Sequence, residues 1–193
     1  MLRALYDWTM NLAASRHAAG ALAAVSFIES SIFPIPPDTL LIPMVLAERA
    51  KAWWYAFLCT LTSVLGGLAG YAIGFFLFEA VAEPLLDFYG YASRFEQFAE
   101  TYNDWGAWAV LIAGVTPFPF KVITIASGAT KLSLPIFIIA SLIARSIRFF
   151  AVAGLLYVFG PPIRTFIEKR LGLVFTIALG VLIGGFVLAK YAL

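Results

Sequence analysis

Residues 29–43 read ESSIFPIPPDTLLIP, inside a long apolar run. Proline has no N–H and clashes with the preceding turn, so Pro34, Pro36 and Pro37 interrupt any continuous helix here. Glu29 and Asp38 flank the interruption. In lipid a broken helix persists only where it is buried in protein or lines a watery cavity. An ionisable group at membrane depth is by default a functional candidate. The stretch is therefore expected to be a re-entrant, cavity-lining hairpin that carries two acids.

Composition supports that setting. Of 193 residues, 62% are hydrophobic and 12% charged, with mean hydropathy +0.93. Soluble domains are about half apolar and about a quarter charged, so an integral membrane protein is expected. The formal net charge is only +2, which argues against nucleic acid as a partner. Cys59 is the sole cysteine and His17 the sole histidine, so an internal disulfide is impossible and a zinc site is not expected. No metal, cofactor or enzymatic activity is expected, since His17 lies outside the apolar runs and cannot complete a Ser–His dyad within them. Residues 1–17 read as a short interfacial helix. They lack a cleavable signal peptide's apolar core, so the first apolar segment is expected to act as its own insertion signal.

Working outward, the chain reads as one membrane domain over 1–193. Residues 18–78 form a first hairpin plus a span. Residues 79–104 form an amphipathic interfacial helix with an aromatic stripe, residues 105–160 a second hairpin plus span, and residues 171–189 a C-terminal span. Trp53, Trp54 and Tyr55 mark an interfacial belt. Gly66, Gly67 and Gly70 are candidates for close helix packing, with Gly66, Gly70 and Gly74 on one face. The second hairpin breaks at Pro117 and Pro119, and Gly160-Pro161-Pro162 is expected to end the span after it.

The two broken segments superimpose at an offset of 83 residues: Pro34 falls on Pro117, Pro36 on Pro119 and Asp38 on Lys121. Broken apolar segments in corresponding halves point to the binding site of an inverted-repeat transporter. Loop charge agrees with re-entrance. It puts Arg3, Arg16, Arg49, Lys51, Arg164, Lys169 and Arg170 on one side, against Arg94, Lys131 and Lys190 on the other. The basic side, with the N-terminus, is then cytoplasmic. The expected fold is an all-α membrane protein: two opposed re-entrant helical hairpins plus transmembrane helices. Asp38 and Lys121 would pair across the hairpin tips, leaving Glu29 without an evident partner.

Glu29, Asp38, Lys121, Arg145 and Arg148 are the charges in or beside apolar runs. Arg145 and Arg148 share a helix face at spacing three. Three cations and two carboxylates leave one positive charge, a setting for an anion, and arginine matches phosphate geometry. Glu29 and Asp38 are candidate proton carriers, since desolvation raises a carboxylate's pKa. Structural ion pairing is the plainer role for the same groups.

These residues resemble the DedA family, also called SNARE-associated or VTT-domain membrane proteins, and within it the compact YqaA-like branch. The likeness covers roughly residues 18–160. It rests on Glu29 with Pro34-Ile-Pro36-Pro-Asp38, on Gly66-Gly67-Leu-Ala-Gly70-Tyr71, on Pro117-Phe-Pro119-Phe-Lys121 with Gly128, and on Arg145 to Arg148. The resemblance implies opposed hairpins and lipid translocation, with undecaprenyl phosphate as the substrate linked to bacterial members. It also implies residence in a bacterial inner membrane. The acids at Glu29 and Asp38 and the basic residues after the second break would be its functional groups. This chain departs from the family where Gly114-Val115-Thr116 replaces an arginine that many members carry. The leading expectation is a proton-coupled flippase for a polyprenyl phosphate, with membrane lipid and protons as partners and room for a homo-oligomer. A transporter of a small inorganic anion and a non-transporting scaffold are the alternatives.

Overall fold

The computed structural model describes residues 17–32, 36–116 and 118–169, and every described element is helical. Pro34, Pro117, the interfacial helix expected before residue 17 and the span expected at 171–189 lie outside the described residues. The helices are α1 (Ala18–Ser31), α2 (Asp38–Ala47), α3 (Ala52–Leu77), α4 (Glu83–Tyr89), α5 (Ala92–Trp105), α6 (Ala107–Val115), α7 (Phe120–Ala129) and α8 (Leu134–Lys169).

Length separates them into two kinds. At about 1.5 Å per residue, α3 and α8 exceed the roughly 30 Å of a hydrocarbon core. With 14 residues in α1 and 10 each in α2 and α7, none of these can cross such a layer alone. The proline breaks account for their shortness: α2 begins directly after Pro36-Pro37, and α7 directly after Pro119.

The long helices turn their polar and small residues inward, beside buried rings such as Phe137 and Phe149, and keep large apolar side chains on the outside, as befits helices bathed in lipid. On α3, Cys59, Ser63, Gly66 and Gly70 are buried while Phe57, Leu61 and Leu65 are exposed. On α8, Ser141 and Arg145 are buried while Ile139, Ile143 and Ile147 are exposed. Helix α3 is the floor on which α1 and α7 both pack, and α8 receives α2 and α6. Close approach explains the glycines of α3: a Cβ at Gly66 would strike the Phe27 carbonyl of α1, and one at Gly74 the Ile125 carbonyl of α7. Two apolar clusters result. One joins Leu22, Leu41, Met44 and Cys59 to Phe149, and the other joins Val110, Phe120, Phe137 and Tyr102.

Two expectations require correction. The aromatic segment 79–104 is not one helix. A π-helical turn at Phe78–Ala82 leads into α4, which stops at Gly90, and α5 follows. Gly90 adopts φ 70°, a left-handed conformation that glycine enters without steric cost, and so closes α4. Nor do Gly160-Pro161-Pro162 end the second long helix, since α8 runs on to Lys169. Pro161 has no N–H for the Tyr157 carbonyl one turn earlier. Arg49 Nη2 donates to that carbonyl instead, and its guanidinium lies 5.5 Å from the centre of the Tyr157 ring. The distant side chain replaces the hydrogen bond that the proline removes.

Candidate functional site

Arg145 is the largest fully buried side chain of the described residues, and its side chain is 1% exposed. Helix α8 directs it between the two apolar clusters, with Phe120 at 4.5 Å and Phe149 at 4.9 Å from the guanidinium carbon. Rings on both sides attract a cation through their electron-rich faces but do not neutralise it. Glu29 of α1 does so, accepting a hydrogen bond from Arg145 Nη2 at 2.5 Å.

Hydroxyl groups complete the shell. Arg145 Nε donates to Ser63 Oγ at 2.6 Å, and Ser63 Oγ shares a 2.6 Å hydrogen bond with Ser30 Oγ. Ser30 Oγ lies 3.1 Å from Glu29 Oε2 and 3.4 Å from Arg145 Nη2. Ser26 Oγ, one turn before Ser30, donates to the Cys59 carbonyl at 2.9 Å and pins α1 to α3. A buried ion pair is tolerated better as its remaining donors and acceptors are met, and these serines supply partners to Arg145 Nε and Nη2 and to Glu29 Oε2.

A second pair lies one helical step along. Arg148 Nη2 donates to Asp38 Oδ2 at 2.6 Å, with side chains 19% and 22% exposed. Arg148 Nη1 also donates to the Thr116 carbonyl at 2.8 Å, where α6 ends. Asp38 opens α2, so the helix dipole favours its negative charge. Among the described residues, its other oxygen, Oδ1, is buried without a hydrogen-bond partner.

The expected Asp38–Lys121 pair is therefore not formed. Helix α2 packs on α8, which brings Asp38 to Arg148. Lys121 begins α7 beside the end of α1, and its Nζ donates to the Ile32 carbonyl at 3.2 Å. The same turn of α7 supplies Thr124 Oγ1, which donates to the Ser30 carbonyl at 3.0 Å. Nor is Glu29 unpartnered, since Arg145 holds it. Lys121 and Arg148 thus cap the carbonyl ends of α1 and α6, where a helix dipole favours a cation.

All five charges singled out in the sequence come together around the first break. So do Pro36 and Pro37, which lead into α2, and Pro119, which precedes α7. Gly66 and Gly70 are packing residues between α3 and its neighbours, whereas Gly67 faces the Phe120 and Phe137 rings across ordinary contact distances. The sequence reading passed over Ser30, Ser63 and Thr124, together with the rings of Phe120 and Phe149. A signal for the serines existed: Ser26 and Ser30 share a face of α1, and Ser63 shares a face of α3 with Gly66 and Gly70.

Residues 35–158 match the family model described as VTT domain. An uncharacterized protein of Haemophilus influenzae is 39% identical over 151 residues, covering 78% of each chain. An uncharacterized protein of Histophilus somni, described as an HI0703 homolog, is 37% identical over 151 residues with the same coverage. No solved structure matches.

Proposed function

Since the chain belongs to the VTT-domain, or DedA, family of membrane proteins, we propose that it translocates an anionic lipid, specifically a polyprenyl phosphate such as undecaprenyl phosphate, coupled to protons. The observation that carries this reading is the pair of arginine–carboxylate bonds, Arg145–Glu29 and Arg148–Asp38, on one face of α8 beside the interrupted helix. The short helices α1 with α2, and α6 with α7, are read as two opposed re-entrant hairpins of an inverted repeat. Their exchange of partners supports this, since the first helix of each pair packs on its own long helix and the second on the other's.

In this mechanism the phosphate enters at Arg148 and Lys121, the more accessible cations. Both are held by acceptors they can release, a carboxylate and backbone carbonyls. Protonation of Asp38 removes the charge that holds Arg148, and the freed guanidinium forks onto two phosphate oxygens. Oδ1, which has no hydrogen-bond partner among the described residues, is where Asp38 would take that proton. Glu29, in its drier position, holds Arg145 until a second proton arrives. The polyprenyl tail stays against the exposed apolar faces of α3 and α8, and deprotonation on the far side restores both pairs.

The test is lipid flipping in liposomes with and without a pH gradient, using a fluorescent polyprenyl phosphate. Arg148→Gln and Lys121→Ala are each expected to reduce the rate at least about tenfold, the loss of roughly one charge-assisted bond to phosphate. Unchanged rates would remove the phosphate site. Uptake of inorganic oxyanions without lipid flipping would move the substrate to a small anion.

A further inference from the structure

The two flanks of α5 differ in charge. On one side, α4, α5 and the end of α7 enclose a cleft of about 190 Å³ that is lined by Glu83, Asp87 and Glu96, with Lys131 at its edge. On the other side, α5, α6 and α7 frame an open groove of about 670 Å³. Its polar rim is Arg94, Gln97 and Thr101, and among the described residues no acid lines it. Phe98, Trp105 and Ile123 make its apolar wall, with Trp105 59% and Phe98 44% exposed. Tyr102 closes the bottom, its hydroxyl already engaged by Ser127 Oγ at 2.8 Å.

From Arg94 to Trp105 the groove follows α5 for roughly 16 Å at 1.5 Å per residue. That is about the length of one acyl chain, since two of them end to end make up the roughly 30 Å hydrocarbon core. The volume falls in the range of lipid- and ligand-sized sites. A cation at one end, an apolar channel of acyl-chain length and the exclusion of acids select one occupant in a membrane protein. We propose that this groove binds an anionic glycerophospholipid, its phosphate on Arg94 and one acyl chain along Phe98, Tyr102 and Trp105. The site is separate from the Arg145 cluster and does not depend on the translocation reading.

Trp105 is the built-in probe. In a variant with Trp8, Trp53, Trp54 and Trp108 changed to Phe, the protein is placed in proteoliposomes containing acyl-brominated phosphatidylglycerol or phosphatidylcholine at equal mole fraction. Binding predicts apparent affinity for the anionic lipid higher by about fivefold, the preference that one arginine contributes toward a charged headgroup. Arg94→Gln is expected to abolish the preference while leaving the size-exclusion profile unchanged. Ala109→Phe, which fills the groove but keeps Arg94, is expected to abolish it too. Equal quenching by the two lipids, no quenching by either, or a preference that survives Ala109→Phe would each overturn the assignment.

Discussion

At Arg145 a single atom's worth of chemistry separates a stable interior from an unstable one. Glu29→Gln keeps the shape but leaves a buried guanidinium without its counter-charge, which typically destabilises by about 3–5 kcal/mol. Thermal unfolding in detergent is expected to show that loss. Changing both partners, Glu29→Leu with Arg145→Met, is expected to recover most of it, because the desolvation cost disappears with the charges. If the double variant is no more stable than Glu29→Gln, the pair is not the source of the effect. Asp38→Asn is expected to cost less, since both members of its pair reach solvent. The identity of these charges was legible in the sequence, because a carboxylate or guanidinium in an apolar run stands out. Their pairing was not. Glu29 and Arg145 are 116 positions apart, and which arginine meets which acid depends on how α1 and α2 seat on different long helices.

Elements are set here by where backbones are allowed to meet. Gly66→Ala places a methyl group against the Phe27 carbonyl and is expected to destabilise by about 1–3 kcal/mol through overpacking. Gly20→Ala, with nothing within 4 Å of the new carbon, is expected to stabilise by up to about 1 kcal/mol through helix propensity. Equal effects of the two substitutions on unfolding temperature would contradict the packing described for α3. Arg49→Ala removes the donor for the Tyr157 carbonyl. It is expected to lower amide protection around residues 155–160 about fivefold, consistent with one hydrogen bond of about 1 kcal/mol, as read by hydrogen exchange. Proline gives a local warning of a break, and for Pro36-Pro37 and Pro119 the warning was correct. At Pro161-Pro162 it misled, because the replacement donor, Arg49, sits 108 residues before the Tyr157 carbonyl that it serves. The split at Gly90 was also within reach of the sequence. The aromatic periodicity across it concealed the turn.

For the whole molecule, re-entrance makes a topological prediction that length alone does not. His17 and Lys51 flank the first pair of short helices, and Trp105 and Lys131 flank the second; all four are exposed. Single cysteines at 17 and 51 are expected to react with an impermeant maleimide from one face of the membrane, and those at 105 and 131 from the other. Labelling of 17 and 51 from opposite faces would replace the hairpin with a kinked span. Native Cys59 is fully buried and is expected to stay silent, so the experiment needs no cysteine-free background. The arrangement of the two arginines has a mechanical consequence. Arg145 and Arg148 sit about 60° apart around α8, one gripping α1 before the break and the other gripping α2 after it. A rotation of α8 about its own axis therefore loads both grips at once. The broken segment experiences torque from a single shaft, and the two halves are geared to yield together.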